Sequence, residues 1–137
     1  MRRCNTFAAL FAMVLVAVGC DDPGPQVSFG SQRIEWNDSL TARATVDAAV
    51  GSVLVNGLVL TPNECFNLRA SPQIRTTSIT VTINGNQATN SCAPAPGAYV
   101  YTFMMSGIDR GSYQFKVIHA VQGTTAVTVA DTNIAMP

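Results

Sequence analysis

From about residue 40 to residue 130 the chain repeatedly sets an apolar side chain at every second position. That period of two constrains the fold more than any other feature, because successive side chains of a strand point to opposite faces. Leu40, Ala42, Ala44, Val46 and Ala48 alternate with Thr41, Arg43, Thr45 and Asp47. Ile79, Val81 and Ile83 alternate with Thr80 and Thr82. Tyr99, Tyr101, Phe103 and Met105 share one face of a later strand, and Tyr113, Phe115, Val117 and His119 share a face of the next. A last strand runs from Thr125 to Ala130. Beyond residue 19 the chain carries 32 Val, Thr and Ile but only 11 Leu, Met, Glu and Lys. β-Branched side chains lose rotamer freedom in helices and pack well on pleated sheets, so the ratio favours strands. No window there has the 3.6-residue apolar repeat of a helix. Asn56-Gly57 lies between two short apolar runs in Ser52 to Leu60, and Asn-Gly suits the tight turn of a hairpin. Asn84-Gly85-Asn86 reads as a second turn. These signals predict an all-β chain, a β-sandwich of about seven strands.

The N-terminal residues read as an address. Met1-Arg2-Arg3 is positive, and Phe7 to Val18 is an uncharged apolar run. A helix of that length reaches roughly 18 Å, short of a hydrocarbon core of about 30 Å, so the run suits a signal peptide better than a span. It ends in Ala17-Val18-Gly19-Cys20. Small residues before such a Cys resemble the lipobox of bacterial lipoproteins, although Ala17 stands where that family more often has Leu. The resemblance implies a cleaved signal over residues 1–19 and a lipidated Cys20, bearing a diacylglycerol and an amide-linked acyl chain such as palmitate. It also implies a place in the bacterial cell envelope, anchored to the exported side of a membrane. Asp21 after the Cys resembles an inner-membrane retention signal of enteric-type bacteria, and the choice between inner and outer membrane stays open. Residues 20–30, which include DDPGPQ, are expected to form a flexible tether, with the folded domain over residues 31–137.

The stretch Tyr99 to His119, YVYTFMMSGIDRGSYQFKVIH, resembles the closing hairpin of bacterial immunoglobulin-like and transthyretin-like modules. The resemblance implies an immunoglobulin-like β-sandwich, with Ile108 as the apolar plug under the turn, Gly111 as the turn glycine and Tyr113 entering the last core strand. It concerns architecture and not activity.

Of four Cys, Cys4 leaves with the signal and Cys20 is the lipid site, so Cys65 and Cys92 remain as an even pair in an exported domain. A structural disulfide between them is expected, since no Cys-x-x-Cys spacing or flanking His suggests a redox or metal pair.

The mature part carries six basic and eight acidic residues, a balance of −2, so there is no basic excess to neutralise a nucleic-acid backbone. His119 is the only His. The reading preferred here is a half-buried, hydrogen-bonded His at a strand end, and the alternative is a small enzyme or metal carrier built around it. A Ser-His-Asp arrangement would need a placed nucleophile, and no Gly-x-Ser-x-Gly elbow is present. Met104 and Met105 are neighbours on a strand and point apart, so copper binding with His119 is not expected. Glu35, Asp38, Asp47, Glu64, Asp109 and Asp131 form no recognisable acid–base couple or calcium loop. Asp109 is expected to bond turn N–H groups through its side chain, and Asn37-Asp38-Ser39 to form a turn. Trp36, Tyr99, Tyr101 and Tyr113 could make an aromatic platform, though the apolar stripe favours packing roles. The sequence therefore leads to a non-catalytic, lipid-anchored envelope module that binds a protein or glycan partner or serves a structural role, with no catalytic residue, metal or cofactor.

Overall fold

The computed structural model describes residues 23–137. The signal peptide expected over residues 1–19 and the expected lipid site, Cys20, lie outside the described residues. Eight strands follow in order: β1 Gln26–Ile34, β2 Arg43–Ala49, β3 Ser52–Thr61, β4 Phe66–Ile74, β5 Ser78–Gln87, β6 Gly97–Ser106, β7 Gly111–Val121 and β8 Val127–Met136. They form two four-stranded sheets, A in the order β1-β6-β3-β2 and B in the order β4-β5-β7-β8. Among the described residues there is no helix, and therefore none long and apolar enough to cross a membrane.

The sheets face each other over one core. Val53, Val55 and Val59 of β3, with Tyr99, Tyr101, Phe103 and Met105 of β6, meet Ile79, Val81 and Ile83 of β5 and Phe115 and Val117 of β7. The stripes expected in β5, β6 and β7 are thus inward faces. Of the Leu40–Ala48 stripe only Ala44 and Val46 pack against the core, because Leu40 and Ala42 precede β2. The all-β sandwich expectation holds, with eight strands rather than about seven. Sheet A is antiparallel throughout. In sheet B the central pair, β5 and β7, is parallel, from Ser78↔Gln114 to Gly85↔Val121. Immunoglobulin sheets are antiparallel, so this pair sets the molecule apart from that pattern.

Both Asn-Gly expectations fail, for one reason. Asn56-Gly57 lies inside β3, and the β2–β3 turn is made by Val50 and Gly51 instead. A Cβ on Gly57 would stand 2.2 Å from Cζ of Tyr101. Gly85 lies inside β5, and a Cβ there would stand 3.3 Å from side-chain atoms of both Leu68 and Val121. Each glycine makes room for a neighbour on an adjacent strand.

Other boundaries move as well. β1 starts at Gln26, inside the stretch expected to be tether, because Val27 and Phe29 pair with Met105 and Phe103 across β6. β4 was not foreseen. Pro72 interrupts its pattern, and the structure accommodates it because β4 is an edge strand, paired only with β5. Tyr99 to His119 is not a hairpin, since β6 belongs to sheet A and β7 to sheet B. Residues 107–110 carry the chain from one sheet to the other. Ile108 plugs this corner at 7% exposure. The Tyr113 hydroxyl donates to the Asp109 carbonyl at 3.1 Å, the geometry of a tyrosine corner. The bond recorded at Asp109 is therefore made by its carbonyl and not by the expected carboxylate. β8 starts near the expected place and runs on to Met136, burying Ile134 and Met136.

Cys65 and Cys92 form a disulfide with their Cα atoms 5.9 Å apart, as expected. It ties the start of β4 to the β5–β6 connection. The Tyr99 hydroxyl fastens the same corner, donating to the Glu64 carbonyl and accepting from the Phe66 N–H.

Candidate functional site

The residues that chemistry would need are placed on two levels, one inside the sandwich and one on its surface. Inside, His119 of β7 and Tyr101 of β6 meet across the sheets, with Nε2 2.9 Å from the Tyr101 hydroxyl. Both sit on inward faces because each falls in phase with its strand's apolar stripe. Their rings stand 5.5 Å apart, edge to face. His119 is 5% exposed and Tyr101 3% exposed. Burial holds the imidazole neutral, with its pKa lowered to about 4, and pushes the Tyr101 phenol well above its ordinary value. Nδ1 of His119 has no hydrogen-bond partner. A neutral imidazole bonded to a neutral phenol and closed off from solvent ties the two sheets together and offers no open base to a substrate.

The other expected candidates are scattered. Met105 is buried while Met104, one residue earlier, is 46% exposed on the opposite face of β6. Tyr99, Tyr101 and Tyr113 are core residues, and Trp36 stands apart at 37% exposure, so no aromatic platform assembles from the four. All six carboxylates are exposed. Glu64 pairs with Arg33 at 3.0 Å and Asp131 with Lys116 at 3.4 Å. Asn37 forms the expected turn, its side-chain oxygen accepting the Ser39 N–H at 3.1 Å. Among the described residues no three His, Cys, Asp or Glu gather where a metal could sit.

The surface feature that sequence reasoning missed is a groove of about 530 Å³ on the outer face of sheet A. It crosses all four strands. One row runs Gly30, Thr102, Asn56 and Thr45, and the next runs Gln32, Val100, Leu58 and Arg43. Gly30 lacks a side chain and leaves the groove open on the β1 side. Leu58 and Val100 give it an apolar floor. Thr102 donates to Asn56 Oδ1 at 2.9 Å, which leaves the Asn56 amide nitrogen as a donor in a groove that Arg43 also lines. The alternation of β3 and β6 carries a signal for these outward positions. Their convergence depends on which strands are neighbours, and the Asn56-Gly57 turn assignment hid that.

No family model, curated protein or solved structure matches the chain.

Proposed function

We propose that this chain is a lipid-anchored bacterial envelope protein whose sandwich is a non-catalytic binding module. The groove on the outer face of sheet A is its contact surface for a protein or glycan partner. The observation that carries this reading is the grouping of Gln32, Arg43, Thr45, Asn56 and Thr102 around an apolar floor of Leu58 and Val100. An apolar centre ringed by polar side chains is how recognition surfaces are built. The chain's one imidazole, by contrast, is enclosed in the core. The anchor rests on the lipobox-like residues ending at Cys20 and holds the module on the exported side of the membrane.

Two measurements test the reading. Labelled fatty acid should enter the wild-type protein and not Cys20→Ser, and equal labelling would remove the anchor. A photo-crosslinking side chain at Val100 should give discrete adducts in the native envelope. The same group at Lys116, on the outer face of sheet B, should not. Adducts at both positions or at neither would remove the groove as the contact surface.

A further inference from the structure

The end of the sandwich nearest the tether carries features of a lipid-contacting surface. Three Cα–Cα steps separate Cys20 from Pro23, so the two Cα atoms lie within about 11 Å of each other whatever path the chain takes. Pro25 then lies against Gly107, where an added Cβ would stand 3.6 Å from the Pro25 Cα. The N–H groups of Gly107 and Ile108 both donate to the Gly51 carbonyl, at 2.9 and 3.2 Å. The Val50–Gly51 turn therefore stands beside the point where the tether joins the domain.

Val50 is 75% exposed, the most exposed of the large hydrophobic side chains among the described residues. Val27, next to the first residue of β1, is 44% exposed, and Ile74, the last residue of β4, is 43% exposed. The registers put all three at the tether end. Gln26 pairs with Ser106 and Ser106 with Ser52, while Ile74 pairs with Ile79 near the start of β5. β5 runs parallel to β7 from the end where β7 follows Ser106 through residues 107–110.

We propose that the Val50–Gly51 turn, with Val27 and Ile74 at the same end, docks the sandwich onto the headgroup–acyl boundary of the bilayer that holds Cys20. This rests on the lipid-anchor reading. A single valine is a weak membrane ligand in free solution, but the anchor makes its insertion intramolecular and so raises its effective concentration. The charges at this end do not favour an anionic surface. Arg75 and Arg110 at this end are accompanied by Asp109, and the two residues that precede Pro23 in the sequence are Asp21 and Asp22. The contact is apolar, and it holds the groove of sheet A at a fixed angle to the membrane.

Trp36 is the chain's only tryptophan, so a Trp36→Phe background leaves room for one placed reporter. Val50→Trp and Val127→Trp are compared in that background. Val127 is 52% exposed and pairs with His119, toward the end of the sandwich away from the tether. Each protein is expressed as the full chain, recovered from membranes and reconstituted in phosphatidylcholine vesicles with brominated acyl chains. Fatty-acid labelling of the same preparation reports on the anchor. The indole of Val50→Trp should be quenched several-fold more than that of Val127→Trp, and 1 M salt should not reverse it. Equal or absent quenching in labelled, vesicle-bound protein overturns docking and leaves the anchor standing. Quenching abolished by salt overturns the apolar contact. Absence of label overturns the anchor, and the docking with it.

Discussion

The Tyr101 ring occupies the space that a side chain at Gly57 would need. A Cβ at that position would meet Cζ, Oη and Cε1 of Tyr101 at 2.2, 2.3 and 2.4 Å. Gly57→Ala should therefore destabilise the domain by about 1–3 kcal/mol or more, as overpacked cores do. In a Tyr101→Leu background the same substitution should cost much less, since the ring is gone. Denaturant melts of the four-member cycle measure the coupling. Additive losses would show that Tyr101 and Gly57 do not oppose each other across adjacent strands.

The Tyr101–His119 pair predicts an acid limb in the stability profile. The imidazole titrates at 6.5 when exposed and at about 4 in the folded protein. Between those values the unfolded chain binds a proton that the folded chain refuses. Stability is thus fully present above pH 6.5 and is lost as pH falls toward 4, at up to about 1.4 kcal/mol per pH unit. Replacing the pair with His119→Leu and Tyr101→Phe should flatten this limb in melts between pH 7 and pH 4. An unchanged slope would assign the acid loss to other groups.

Cutting the Cys65–Cys92 bridge should loosen the corner where β3 leads into β4. The bridge spans a sequence separation of 27. Chain-entropy arguments give about 3.5 kcal/mol for a loop of that size. Cys65→Ala should lose stability of that order, and a reducing agent should lower the melting temperature of the native domain but not of the variant. Melts of native and variant that coincide without reductant would show that the bridge contributes nothing.

Single-step shifts along β5 and β7 should separate inside from outside. Val81 and Val117 are both 0% exposed, and an unpaired carboxylate at either position should unfold the domain. Thr80→Asp faces the other way and should be mild. Lys116→Asp loses a partly exposed ion pair with Asp131, so it should cost only about 1 kcal/mol. Thermal melts of the four variants decide it, and equal tolerance of inward and outward changes would contradict the registers.

The inward faces were legible because period-two alternation survives in β5, β6 and β7, the strands at the centre of the core. Edge elements were harder to read. Pro72 masked β4, and the Pro-Gly residues before Gln26 drew attention from the alternation of Val27 and Phe29. The two Asn-Gly signals misled because a glycine that permits a turn and a glycine that makes room for a ring look alike in sequence. Alternation placed Tyr101 and His119 each on an apolar face. Their contact depends on β6 lying over β7 in the opposite sheet, which no local pattern specifies. The groove was hidden for a related reason, since its rows cross β1, β6, β3 and β2, and of these neighbours only β3 and β2 are consecutive in the chain.

The parallel pairing of β5 with β7 bears on how the molecule is made. The chain between Ser78 and Gln114 passes through the other sheet as β6 before it returns to pair beside β5. Sheet B is therefore not built from a contiguous run of strands, and its central pairing links residues far apart in the chain. Its middle is closed by β7, which follows β6 in the chain, and β6 lies between β1 and β3 in the other sheet. Such distant pairing makes folding slow, and it makes assembly of the two sheets a single event. A chain released with β7 still unplaced would leave the long edge of β5 open to any passing strand. The time between the end of synthesis or export and the docking of β7 is thus when this protein is most exposed to aggregation.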